Sequence, residues 1–296
     1  MPMNTREVEE QLRDRLFQEL GDPGPIALDG SIHRFKGEGD RNRDCWYVAY
    51  PEGYGAFGSW RLGFTEKFRA DGVNTSNHAM RELMERRAFE VEMEKTRKRN
   101  AARDRALDMW DRARVPDPSH PYLVAKFGGE IPPLHSCKQL EATLLIPMSD
   151  LSVVPQIMNL QRISPLGKKK FLYGGQVVGT GLELIHNTEP PASPLYICEG
   201  WATGISLFNS GRNVVVAWNT ANLQTAARDI RTRYEDRILY IAADNDQWTE
   251  GNPGLTAATN AGIAVNAGIV YPNFDGLEVS SKPTDFNDYI NLGGEL

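Results

Sequence analysis

The sequence predicts an α/β protein whose last third is a parallel sheet with flanking helices. A small α+β segment and an N-terminal strand and helix module precede it. Three observations carry this. Short apolar runs alternate with helical stretches from Ser193 onward, strands joined by polar turns lie between 144 and 173, and an aromatic run at 44–50 is followed by a glycine-rich turn. A chain of 296 residues, 41% hydrophobic and 24% charged, has room for two or three such modules.

The first twenty residues alternate charged and apolar side chains at helical spacing and lack the apolar stretch of a secretory signal, so a cytoplasmic location is expected. No segment has the apolar length that spans a bilayer. A strand-rich unit follows. Asp44 to Tyr50 reads as one strand, Gly53 to Gly58 as a turn, and Phe57 to Arg61 as a second strand. Trp46, Tyr47, Tyr50, Trp60 and Arg61 are either an exposed platform on which unpaired bases stack or the core of that small unit.

Ser76 to Arg114 contains neither proline nor glycine, and Met80, Leu83, Met84, Ala88 and Val91 share one helical stripe, which predicts a long helix or a helix pair. Glu82 to Arg86 and Glu94 to Lys98 are spaced for ion pairs along it. The basic stretch Lys95 to Arg99 is either a phosphate contact or an ordinary solvated surface. Val115-Pro116-Asp117-Pro118 ends the helix. Strands are then expected at Leu144 to Met148, Val153 to Ile163 and Lys170 to Tyr173, with His120 and His135 as structural histidines in loops. The expected divisions are 1–75, 76–114, 115–192 and 193–296.

In the last segment, strands are predicted at Leu195 to Cys198, Asn213 to Ala217, Ile238 to Ala242 and Ile269 to Tyr271. Helices are predicted at Ala202 to Asn209, Leu223 to Arg233 and Leu255 to Asn266. Ligands of such sheets sit beyond the carboxyl ends of the strands. Glu199 stands there, followed by Gly200, which is expected to allow a tight turn. Asp244 and Asp246 follow the next strand of the pattern, and Asn219 ends the strand between. Carboxylates gathered at one edge repel unless a cation lies among them, and magnesium or manganese, with hard oxygen ligands, suits the place. The cysteines, Cys45, Cys137 and Cys198, lack the spacing of a zinc ribbon or disulfide framework, so no zinc is expected. A net charge of -6 argues against a nucleic-acid coat protein, although an acidic body can carry a local basic track.

The runs Cys198 to Gly204, Val214 to Asn219 and Ala243 to Asp246 resemble the TOPRIM signature of primases and topoisomerases. With Gly251-Asn252-Pro253-Gly254 and Lys282 to Asp288, they resemble the plasmid and phage branch of the DnaG-like primases, of the conjugative-plasmid and satellite-phage alpha type. Leu145 to Asp150, Asn159 to Ile163 and Lys169 to Gly175 resemble the subdomain that precedes TOPRIM in those enzymes. The resemblance implies a Rossmann-like TOPRIM domain at 193–296, a primase subdomain with a basic track at 115–192, and an N-terminal module that replaces the usual zinc-binding one. It implies a nucleotidyltransferase that makes short primers on single-stranded DNA from nucleoside triphosphates, for plasmid or phage replication. Glu199, Asp244 and Asp246 would be its catalytic and metal residues, and Arg162, Lys169 and Lys170, with Gly200 and Asn219, would contact template or nucleotide. Asp285 and Asp288 are further metal candidates, with an N-cap as the other role for Asp285. No GxxxxGK[ST] motif occurs, so a helicase is expected from another protein. A TOPRIM nuclease, or a non-catalytic DNA-binding replication module, are the alternative functions.

Overall fold

The computed structural model describes residues 4–73, 78–186 and 193–296. The chain forms two compact units, Met1–Glu90 and Val91–Leu296.

In the first unit, α1 (Thr5–Leu20) is capped by Asn4, whose side chain accepts from the Arg6 N–H, and ends at Gly21, where φ is 104°. Val8, Leu12, Leu16 and Leu20 recur every four residues and are buried. They pack on one face of a four-stranded antiparallel meander, β1 (His33–Phe35), β2 (Cys45–Tyr50), β3 (Tyr54–Ser59) and β4 (Phe64–Arg69). The second aromatic strand therefore starts earlier than its glycines suggest. Gly55 and Gly58 lie inside β3, not in a turn, because a Cβ on either would stand 2.2 Å from a carbonyl oxygen of the neighbouring strand.

Helix α2 (His78–Arg112) is one unbroken helix of 35 residues rather than a pair. Of its expected apolar stripe, the side chains of Met80, Leu83 and Met84 lie outside the described residues, and Ala88 and Val91 are exposed. Lys95, Arg97, Lys98 and Arg99 each pair with Glu92 or Glu94 of the same helix, which makes this stretch a solvated ionic surface. Among the described residues no helix is long and apolar enough to cross a membrane.

The second unit continues with α3 (Pro121–Phe127), β5 (Lys138–Leu140), β6 (Thr143–Asp150), β7 (Ile157–Ile163), β8 (Lys169–Phe171) and β9 (Thr180–Leu184). Then come β10 (Leu195–Cys198), α4 (Trp201–Asn209), β11 (Asn213–Val216), α5 (Thr220–Arg233), β12 (Leu239–Ala242), α6 (Pro253–Val265), β13 (Gly268–Val270) and α7 (Phe286–Asn291). His120 caps α3 through Nδ1, which accepts from the Tyr122 N–H, a structural role.

The strands form a single sheet of nine, ordered β13-β12-β10-β11-β9-β6-β7-β8 with β5 beside β6. β10 to β13 are parallel, as their unbroken apolar character predicts. β9, which the sequence pattern does not reveal, runs antiparallel between β11 and β6 and joins the upstream strands to the parallel ones. Gly179 and Gly181 obscure it, yet a Cβ at Gly181 would meet Leu151 at 2.7 Å. Asn222 bolts this junction. Its side-chain amide donates to the carbonyls of Thr180 and Ala217 and accepts from the Gly179 N–H.

One face of the sheet packs against α3, α4 and α7 in a core containing Trp201, Ile205 and Phe286. The other packs against α5 and α6, and farther along against Ala106 and Ala113 of α2. Helices α5 and α6 begin earlier than their apolar stripes because Asn219 and Asn252 cap them, with Pro253 in the first turn of α6. β7 is shorter than expected because Pro155 and a loop tied back to Asp150 precede it.

Candidate active site

The parallel register sets Cys198 level with Val216 and Ala242, so Glu199 and the Ala243–Asp246 loop leave the sheet at one edge. The Glu199 carboxylate accepts from the Thr220 hydroxyl at 3.2 Å, at the start of α5. Burial raises its pKa, the Thr220 bond opposes this, and Asp246 adds repulsion.

Asp244 is the most perturbed acid of the site. Burial, then the nearby charges of Asp285, Glu199 and Asp246, push it up to about 8, with Lys169 pulling the other way. Its Oδ1 is buried without a hydrogen-bond partner.

The loop is held from several sides. The Asn245 N–H donates to Thr284 O and its side-chain amide to Pro272 O, while its Oδ1 accepts from Asn252. The Asp246 carboxylate accepts from the Gly254 N–H at 3.0 Å, at the start of α6. Gly254 is required by close approach, since a Cβ there would lie 2.6 Å from Asp244 O and 2.8 Å from Asp246 Oδ2.

The C-terminal acids have defined tasks. Asp285 is the N-cap of α7, accepting from the Asp288 N–H at 2.8 Å, and burial followed by Asp288 raises its pKa. Asp288 pairs with Lys126 of α3 at 2.9 Å and accepts from the Thr284 N–H, contacts that clamp α7 in place.

The structure defines the backbone at two other expected positions. Gly200 has φ −88°, an extended conformation open to any residue, so it caps α4 without the special turn expected of it. Asn219 stands at the predicted edge, where its side chain caps α5, following Trp218 at φ 74° in a γ-turn closed by Asn219 N–H to Ala217 O.

The three upstream cations do not form one track. Residues directly opposed in antiparallel strands share a face. Lys169 opposes Ile163, on the face of Trp201 and Phe286, and lies in the field of Asp285, Asp244 and Asp288. Its surroundings lower its pKa by desolvation although the residue as a whole is exposed, and the three acids counter this. Arg162 and Lys170 oppose each other on the reverse face, with Leu145 and α2. Sequence reasoning missed Lys126, Thr220 and Asn222, whose partners lie up to 162 positions away and leave no local signal.

In the first unit, Tyr47 is only 2% exposed and its hydroxyl accepts from the Ala27 N–H, so it is core and not a base platform. Strand alternation turns Cys45, Tyr47 and Ala49 inward. Trp46 stacks with Trp60 on the other face, Arg34 lies over Trp60 at 4.5 Å, and Arg61 is paired with Asp40.

Hard carboxylate oxygens and one unsatisfied buried oxygen suit a divalent cation. Among the described residues, no group of three or more His, Cys, Asp or Glu side chains could hold an ion alone. Such a set fits an ion that takes one or two carboxylates and completes its shell with water and phosphate.

Residues 194–295 match the Toprim domain family. The chain is 28% identical over 273 residues to a DNA primase TraC of Escherichia coli, covering 86% of this chain and 25% of that protein. A second Escherichia coli DNA primase TraC is 26% identical over 273 residues, with 87% and 18% covered. The chain therefore spans a quarter or less of the curated relatives it matches. Among solved structures, the primase fragment of the bacteriophage T7 primase-helicase protein aligns at a TM-score of 0.38 and 10% identity, over 53% of this chain and 61% of that one. The Aquifex aeolicus primase, zinc-binding and RNA polymerase domains, aligns at 0.34 and 15%, over 98% and 82%. The last third of the chain is thus a Toprim domain, as its motifs imply, and the chain is similar to DNA primases of the TraC type.

Proposed function

We propose that this Toprim-domain chain is the catalytic part of a DNA primase, joining nucleotides on a single-stranded DNA template in plasmid or phage replication. The observation that carries the reading is the meeting at one sheet edge of Glu199, Asp244, Asp246 and Asp285 with Lys169 from the upstream strands. A site with that composition binds a triphosphate between acid-held metal and a fixed cation.

Asp244 and Asp246 would hold magnesium or manganese, which supplies charge neutralisation for the triphosphate and the departing pyrophosphate. In the reaction a 3′-hydroxyl oxygen forms a bond to the α-phosphorus while the bond to pyrophosphate breaks. Glu199, whose pKa is raised by burial, takes the hydroxyl proton. Lys169 draws the phosphates over the acids, and the clamped 245–254 loop keeps Asp244 and Asp246 from shifting as charge moves.

The test is labelled-nucleotide incorporation on single-stranded DNA with magnesium or manganese, comparing the wild-type chain with Asp244→Ala and Glu199→Gln. Short metal-dependent products that vanish in both variants support a primase. Degradation of the template in place of synthesis would establish a nuclease, and absence of both would end the catalytic reading.

A further inference from the structure

Three tryptophans follow the parallel strands at the edge that carries the acids, and one of them offers a ring face to solvent. Trp201 and Trp218 are 1% and 6% exposed and belong to the core. Trp248 is 43% exposed, two residues beyond Asp246 in the loop between β12 and α6. Two residues span at most about 7 Å, so its backbone stands beside that acid. The ring is also tied from the other side. Its indole Nε1–H donates to Pro283 O at 3.0 Å, on the segment that leads into Thr284 and Asp285. That segment is joined to the same loop by Asn245 N–H to Thr284 O, and Asn252 joins the far end of the loop to Asn245. Thr249 N–H to Asp246 O at 2.8 Å closes the turn that contains Trp248. An apolar ring is thus held at the acids, half in water, with its one polar atom already bonded.

We propose that Trp248 is the base platform of the nucleotide site, stacking on the base of a nucleoside triphosphate whose phosphates lie over Asp244 and Asp246. The proposal rests on the reading of those acids as a triphosphate site, but not on catalysis. Every base offers a π-face, and an indole has a single donor, which here is spent on Pro283 O. The contact is therefore blind to base edges and tolerant of base identity. Template-directed joining requires that tolerance, because selection there falls to pairing. Since the ring is fixed before the nucleotide arrives, stacking orders few additional groups.

The experiment is binding calorimetry on the full chain with magnesium and no template, using ATP, CTP and inorganic tripolyphosphate as probes. Trp248→Ala is expected to weaken both nucleotides about 5- to 100-fold and to leave tripolyphosphate, which has no base, at wild-type affinity. Trp248→Phe keeps a π-face and loses the bond to Pro283 O, so it should recover most of the nucleotide affinity. Wild-type nucleotide affinity in Trp248→Ala overturns the platform. So do equal losses for nucleotides and tripolyphosphate, which would mark a displaced loop, and a Phe variant no better than the Ala one, which would mark the hydrogen bond. If the wild-type chain binds neither nucleotide nor tripolyphosphate, the platform and the triphosphate reading of the acids fall together. If the binding pattern holds while incorporation fails, the platform stands and the catalytic reading alone falls.

Discussion

Replacing Asp244 by asparagine should change how the metal-free protein responds to pH. Its carboxyl moves from 3.8 in the unfolded chain to about 8 in the fold. Between these values the native state binds one proton more than the unfolded state through this group, so its contribution to stability is greatest below pH 4 and is lost as pH rises toward 8. One proton corresponds to about 1.4 kcal/mol per pH unit, which gives close to 3 kcal/mol between pH 5 and pH 7 from this group alone. That figure needs only a native value above 7 and an unfolded one below 5. Urea denaturation in chelator at pH 5, 6 and 7 reads it directly. The wild-type midpoint should fall steeply over this range, and Asp244→Asn, which has no proton to lose, should fall much less. Parallel profiles for the two proteins would refute the assignment of the shift to a buried carboxyl crowded by other acids.

Metal binding should run against the same proton, so titration with magnesium or manganese at pH 7 should release nearly one proton per ion. Calorimetry in buffers of different ionisation enthalpy measures this, and no buffer dependence would count against Asp244 as a ligand. Gly254→Ala forces a methyl against Asp244 O and Asp246 Oδ2, so incorporation should collapse while thermal stability falls by about 1–3 kcal/mol; an active variant would contradict the loop geometry. Lys169→Ala should raise the KM for nucleotide, whereas Lys170→Ala should leave it unchanged, and equal effects would contradict the division of the two faces. Asn222→Ala strips three hydrogen bonds from the β9–β11 junction and should cost about 2–4 kcal/mol in denaturant unfolding.

The parallel strands were legible because each is a short apolar run buried on both sides, and β10 matches its expected bounds residue for residue. The acids were legible because they directly follow those runs. What could not be read were relations across the chain. β9 has too little side-chain pattern to announce itself, and its place is set by Asn222, forty-two positions on. The basic track looked continuous in sequence because Lys169 and Lys170 are neighbours, but strand alternation sends them to different faces. Gly200 drew attention through its position after Glu199, whereas Gly254 is the glycine that the packing requires. Tyr47 looked like part of an exposed aromatic run because sequence gives no phase for the alternation until the partner helix is placed.

The pairing of β9 with β11 also bears on what can be separated from what. The Toprim match begins at residue 194, after β9, so a fragment cut at that boundary would lose the neighbour of β11. Asn213–Val216, wholly buried in the intact chain, would then present a bare apolar rim with unmet amide and carbonyl groups. Such a rim recruits strands from other molecules, so the excised domain would tend to self-associate. Inheritance of the Toprim part together with its upstream strands is then a matter of solubility as much as of catalysis.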